Sequence, residues 1–161
     1  MDIVRIAALV AATVTTGLVT GVFYGFQVSV LIALREVDDR TYVDVNQRIN
    51  RVIQNPKFFL SFLGSVVFSA AAMVLMFGGD RGSVLLPAAI GFGLNLVAFM
   101  VTGGGNVPLN RQLDEAGAAT DPAVARQRYE RPWTRLNNVR GWLHVGAFGA
   151  LCWALIAYGA V

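Results

Sequence analysis

The chain has 161 residues, 55% of them hydrophobic and 14% charged, with a net charge of +3 and a mean hydropathy of +0.56. A soluble domain carries about 25% charged residues, so this composition excludes one, and it leaves no basic soluble face for a nucleic acid. One histidine, His144, and one cysteine, Cys152, cannot assemble a Cys/His metal site or an internal disulfide; no metal and no cofactor is expected.

The charges that remain are clustered. None lies between Arg5 and Arg35, Lys57 and Asp80, Arg81 and Arg111, or beyond Arg140, and each gap is long enough for the roughly 20 residues that cross a bilayer. Four transmembrane helices are predicted, at about 6–34, 58–78, 83–103 and 141–160. The expected fold is an all-α integral membrane four-helix bundle, one domain over residues 1–161, with short amphipathic helices in the two long loops.

The first uncharged run, 29 residues, exceeds the 7–15-residue core of a signal peptide. At about 1.5 Å per residue it reaches roughly 44 Å, so this helix tilts or projects beyond the hydrocarbon. Gly17, Gly21 and Gly25 form a doubled GxxxG, the spacing that lets helix backbones approach closely in lipid. That face packs within the bundle or joins copies as a homo-oligomer. Thr13, Thr16, Thr20, Tyr24 and Gln27 flank the glycines at steps of 3, 4, 4 and 3. Tyr24 and Gln27 are substrate-binding candidates: an amide in hydrocarbon needs partners, and its donors and acceptor can hold a carbonyl or hydroxyl.

In the first loop Val45, Ile49, Val52 and Ile53 mark one apolar helix face opposite a basic one, as for a helix lying in the headgroup plane, until Asn55-Pro56 breaks it. In the second span Ser61, Ser65 and Ser69 repeat the small-residue spacing. "FGGDRGS" then reads as a tight turn with Ser83 capping the third span. Asn95 stands near the middle of that span, as interhelical glue or a ligand contact. The span runs out in "GGGNVPLN", residues 103–110, where the glycines either stop a helix or let the chain unwind at a site.

In the second long loop Asp121-Pro122 looks like a helix start. That helix is expected to pass Trp133, with Pro132 as a kink or break, and enter the fourth span. Trp133, Asn137, Arg140 and His144 then share one face at steps of 4, 3 and 4. Arg140 either snorkels to lipid phosphate or belongs to a site with Asn110 and Asn137 at the mouth of the bundle. His144, about 6 Å deeper, faces the interior as ionisable groups within spans do. The two long loops carry eleven of the thirteen basic residues. By the positive-inside rule the chain is expected in the cell membrane with these loops cytoplasmic and both termini outside.

Three stretches, "NQRINRVIQNPKF", "GNVPLNRQLD" and "WTRLNNVRGWLH", together resemble the anthrone-oxygenase-like family of small four-helix membrane proteins. Gln47, Ile49, Asn50, Asn55, Pro56, Asn106, Pro108, Asn110, Leu113, Trp133, Asn137 and Arg140 match its motifs; His144 has no place in them. The resemblance implies oxidation of an anthrone-like tricyclic phenolic ketone by O₂, without a metal or flavin. It casts Arg140, Asn110 and Asn137 as oxyanion partners, and His144 or a held water as base. Gln47, Asn50, Asn106 and Trp133 then join Tyr24 and Gln27 as substrate-binding residues. A non-catalytic carrier of a lipophilic aromatic molecule, or a structural subunit of a membrane assembly, would use many of the same features.

Overall fold

The computed structural model describes residues 2–77, 82–116 and 120–160. Five helices follow in order: α1 Asp2–Arg35, α2 Asp39–Val52, α3 Pro56–Leu75, α4 Gly82–Glu115 and α5 Pro122–Gly159. α1, α3, α4 and α5 are long and apolar enough to cross a membrane, and the chain is a helical membrane bundle. α4 and α1 pack along α5, and α3 closes against α1 and α4.

The starts of three helices follow from their caps. Asp38 accepts from the Thr41 amide at 3.0 Å and its hydroxyl at 2.6 Å, which opens α2 and holds the Asp38 carboxyl below its ordinary pKa. Asn55 accepts from the Phe58 amide at 3.1 Å and Asp121 from the Ala123 amide at 3.0 Å. In each case the next residue is proline, whose missing N–H costs nothing in a first turn. The expected breaks at Asn55-Pro56 and Asp121-Pro122 are therefore helix starts, and α5 runs unbroken through Pro132. Ser83 lies inside the first turn of α4; residues 78–81 of the expected turn and 117–119 of the second loop are outside the described residues.

Two helices carry a widened π-turn. In α1 it spans Phe26–Val30, with the Leu31 amide reaching the Phe26 carbonyl; in α4 it spans Thr102–Asn106, with Val107 reaching Thr102. This corrects the expectation that Gly103–Gly105 unwind or stop the helix. Pro108 has no N–H, and in an α-turn its ring presses on the carbonyl four residues back. The wider turn relieves that clash, and α4 continues to Glu115. Gly105 also admits α5: a Cβ there would lie 2.7 Å from Leu136 Cδ1.

The glycine stripe of α1 is not the close-packed seam expected. A Cβ at Gly17 would meet Phe148 at 2.9 Å, but at Gly21 and Gly25 nothing lies within 4 Å. The buried face of α1 is instead Leu9, Ala12, Thr16, Val19 and Phe23, rotated away from the glycines. Close approach comes from α3, where Ser65 and Ser69 are fully buried. There Asn95 of α4 donates to Thr16 Oγ1 at 3.0 Å and to the Ser65 carbonyl at 3.1 Å. Asn95 is interhelical glue.

α2 also differs from expectation. Val52 is 61% exposed and Val45, Ile49 and Ile53 are half-buried, whereas Tyr42, Val43, Asn46 and Asn50 are buried. The reason is the length of its neighbours. At about 1.5 Å per residue the 38 residues of α5 make roughly 57 Å, against a hydrocarbon core of about 30 Å. The end of the bundle that carries the two long loops (the loop end) therefore offers protein, not only headgroups, for α2 to cover. Tyr42 packs edge-on to Tyr129 at 6.4 Å, and burial lifts the Tyr42 phenol above its ordinary pKa. Arg126 clamps the join, pairing with Asp39 at 3.0 Å and Glu130 at 2.7 Å and donating to the carbonyls of Val37 and Arg35.

Candidate functional site

Under α2 lies a cavity of about 270 Å³ to which all five helices contribute. Its walls are mainly aromatic: Phe23 and Phe26 from α1, Phe58, Phe59 and Phe62 from α3, and Trp133 from α5. Phe58 and Phe62 stack at 5.4 Å, and Phe23 meets both edge-on. Polar groups enter at Asn50, Thr102, Asn110, Asp114 and Arg140.

Arg140 sets the electrostatics. It is 7% exposed, with its guanidinium 4.1 Å above the Phe23 ring and 5.5 Å from that of Trp133. Nη2 and Nε donate to Asn137 Oδ1 at 2.9 and 3.3 Å, and Nη1 to Thr102 Oγ1 at 3.4 Å. Thr102 is the residue at which the π-turn of α4 begins. No carboxylate pairs with Arg140 among the described residues. A buried charge held only by neutral groups is costly, and it is the one feature of the cavity that calls for an anion.

The asparagines on the wall supply donors. Asn110 Oδ1 accepts from Trp133 Nε1 at 2.7 Å and from the Tyr129 hydroxyl at 3.1 Å. Both lone pairs are used, so what Asn110 still offers is its NH₂. Asn50 is 4% exposed, and its Nδ2 stands beside the Tyr129 hydroxyl without a hydrogen bond of good geometry. Guanidinium and amide donors around an aromatic slot suit a flat ligand bearing acceptor or anionic oxygens.

Arg140, Asn110, Asn50 and Trp133 are thus brought to one cavity, and Asn137, fully buried, orients Arg140 from behind. The other candidates stand elsewhere. Gln27 donates to the carbonyls of Asn137 and Asn138 at 3.2 and 3.5 Å, docking α1 on α5 where Gly141 leaves room; a Cβ there would overlap the Gln27 amide. Gln47 reaches the Leu113 carbonyl at 2.7 Å and ties α2 to the last turn of α4. Asn106 is fully buried and reaches the Trp133 carbonyl at 3.4 Å. Tyr24 is 48% exposed on the outer surface.

His144 is fully buried one turn below Arg140, outside the cavity lining. Its Nδ1 lies 3.0 Å from Asn95 Oδ1. The Asn95 NH₂ is committed to Thr16 and Ser65, so His144 carries its proton on Nδ1. Its ring stacks on Phe23 at 5.3 Å, and Nε2 has no hydrogen-bond partner.

The aromatic wall, Thr102 and Asp114 escaped the sequence reading. Phenylalanine inside a span is unremarkable alone; the signal available was the crowding of aromatics at one end, in "FYGF" and "PKFFLSF".

The family model for anthrone oxygenases matches residues 58–150, a stretch that includes Phe58, Thr102, Asn110, Trp133, Asn137 and Arg140. No curated protein and no solved structure matches the chain.

Proposed function

We propose, because the chain belongs to the anthrone oxygenase family, that the cavity under α2 binds a flat phenolic polycycle of the anthrone kind and promotes its oxidation by O₂. Arg140 carries the reading: a guanidinium buried without a carboxylate partner, opening on an aromatic slot. In such a substrate a CH₂ between two aromatic rings, conjugated to a ketone, is acidic. Loss of its proton places negative charge on the ketone oxygen, where Arg140 and the amides of Asn110 and Asn50 stabilise it. The carbanion passes an electron to O₂, and the radical pair recombines to a carbon-bound peroxide, which takes up a proton. Cleavage of the O–O bond with loss of the remaining C–H proton yields the second ketone and water. One anthrone and one O₂ thus give one anthraquinone and one water, with four electrons moved and none left over.

The proton leaves toward the exposed side of the cavity, where Asp114 is a carboxylate on its rim. The eleven basic residues of the long loops support placing the loop end on the cytoplasmic side.

The test is O₂ uptake by the protein in nanodiscs supplied with an anthrone, against empty nanodiscs. The expected result is uptake above autoxidation, with one anthraquinone formed per O₂, and its loss in Arg140→Met. Tight binding of the anthrone with no extra uptake would make the protein a carrier using the same cavity. Neither binding nor uptake would remove the reading.

A further inference from the structure

A second concavity lies on the outside of the bundle. An open groove of about 980 Å³ is walled by Arg35 at the end of α1, Leu94 of α4 and one face of α5 between Glu130 and Leu143. Its chemistry is graded along α5: Arg131, Thr134, Arg135 and Asn138 come first, then Val139, Trp142 and Leu143. Arg135 and Trp142 are seven residues apart, about 10 Å along the axis. That is enough to pass from the headgroup layer into the upper hydrocarbon. Trp142, 62% exposed, stands at the changeover, where tryptophan is favoured in membranes.

The charge at the polar end is uncompensated. Glu130 is engaged by Arg126 at 2.7 Å. Arg35, Arg131 and Arg135 are exposed, and none has an ion pair among the described residues. They come from two helices, and Arg126 fixes their relative position by donating to the Arg35 carbonyl at 3.3 Å. A cationic, hydrogen-bonding head above an apolar trough matches one kind of molecule in a bilayer.

We infer that this groove is a binding site for an anionic glycerophospholipid. Its phosphate lies between Arg35 and Arg135, and an acyl chain runs along Val139 and Leu143. A second copy of this chain fits poorly: a two-fold contact in the membrane places the same arginines against one another. The site is separate from Arg140, which is buried on the inner face of α5.

The test uses the full chain in nanodiscs of equal phosphatidylglycerol and phosphatidylethanolamine, extracted gently and weighed intact by native mass spectrometry. Wild type should retain phosphatidylglycerol preferentially. Arg131→Gln/Arg135→Gln should lower that retention about tenfold, at the scale of the attraction of surface arginines for anionic lipid. Arg48→Gln/Arg51→Gln, which removes the same charge from exposed positions of α2, should retain lipid as wild type does. Arg35→Gln tests the α1 wall alone and should also weaken retention, with all variants compared at equal thermal stability. Equal loss from both double variants, or equal retention of the two lipids by wild type, would overturn the site. So would a disulfide-linked dimer formed in high yield by Asn138→Cys in the membrane, since a second copy would then fill the groove.

Discussion

Replacing Arg140 by methionine removes the one buried cation of the cavity while keeping an unbranched apolar stem beside Phe23 and Trp133. A hydrogen bond from a charged donor to an anionic oxygen is worth about 1.5–3 kcal/mol net, so a phenolate ligand should bind about tenfold to hundredfold more weakly. The same energy has a second readout. A pKa unit corresponds to about 1.4 kcal/mol, so a phenol bound beside Arg140 should ionise roughly one to two units below its free value. Because the anion is the favoured form, binding tightens as pH rises from the bound pKa to the free one. A hydroxyanthraquinone that changes colour on ionisation reports both quantities in one titration. In Arg140→Met the bound phenol should titrate at or above its free value, since burial then favours the neutral form. Equal bound pKa values in wild type and Arg140→Met would refute the argument. The fold should survive: Asn137 Oδ1 loses its donors, but relief of an unpaired buried charge offsets that loss.

Asn110→Leu leaves the Trp133 and Tyr129 donors without their acceptor, and should destabilise the bundle by about 2–4 kcal/mol, read as a fall in thermal midpoint in detergent. An unchanged midpoint would mean that water replaces the amide. Gly141→Ala forces a methyl into the Gln27 amide and should cost about 1–3 kcal/mol, whereas Gly21→Ala enters open space and should be neutral; equal midpoints would deny the α1–α5 contact. For sidedness, Cys152→Ser with single cysteines at Ser83 or Thr120, both exposed, is treated with an impermeant thiol reagent on intact cells. Position 83 should label and position 120 should not, and the reverse pattern would invert the orientation.

Helix existence and order were legible because charge is so expensive in hydrocarbon that its gaps outline the spans. The Asn-Pro and Asp-Pro pairs added two boundaries through ordinary capping chemistry. Arg140 and Asn110 could be picked out because polar groups next to a span must find partners. What spacing could not convey was the identity of the partner. Gly17, Gly21 and Gly25 permit a close approach, but only Gly17 meets a neighbour. Val45 and Ile49 are more hydrophobic than Asn46 and Asn50, yet α2 buries the asparagines, because its docking surface is another helix and not lipid alone. The π-turns were invisible for a related reason. Choosing a fifth-residue over a fourth-residue carbonyl is decided by how α1 and α4 must meet α5.

Those π-turns bear on how such a site can change over generations. A π-turn is equivalent to one residue inserted into an α-helix, and one residue is about 100° of helix phase. In α4 the turn separates the span, whose Asn95 and Ala98 are locked in the bundle, from the outer segment bearing Asn110 and Asp114. Loss of a single residue among Thr102–Asn106 would restore an ordinary helix and rotate that outer segment by roughly a quarter turn, carrying Asn110 off the wall. The membrane-embedded half would keep its phase. α4 therefore has two independently adjustable halves, and a one-codon insertion or deletion at the glycines can re-aim the cavity without disturbing the part of the helix that crosses the bilayer.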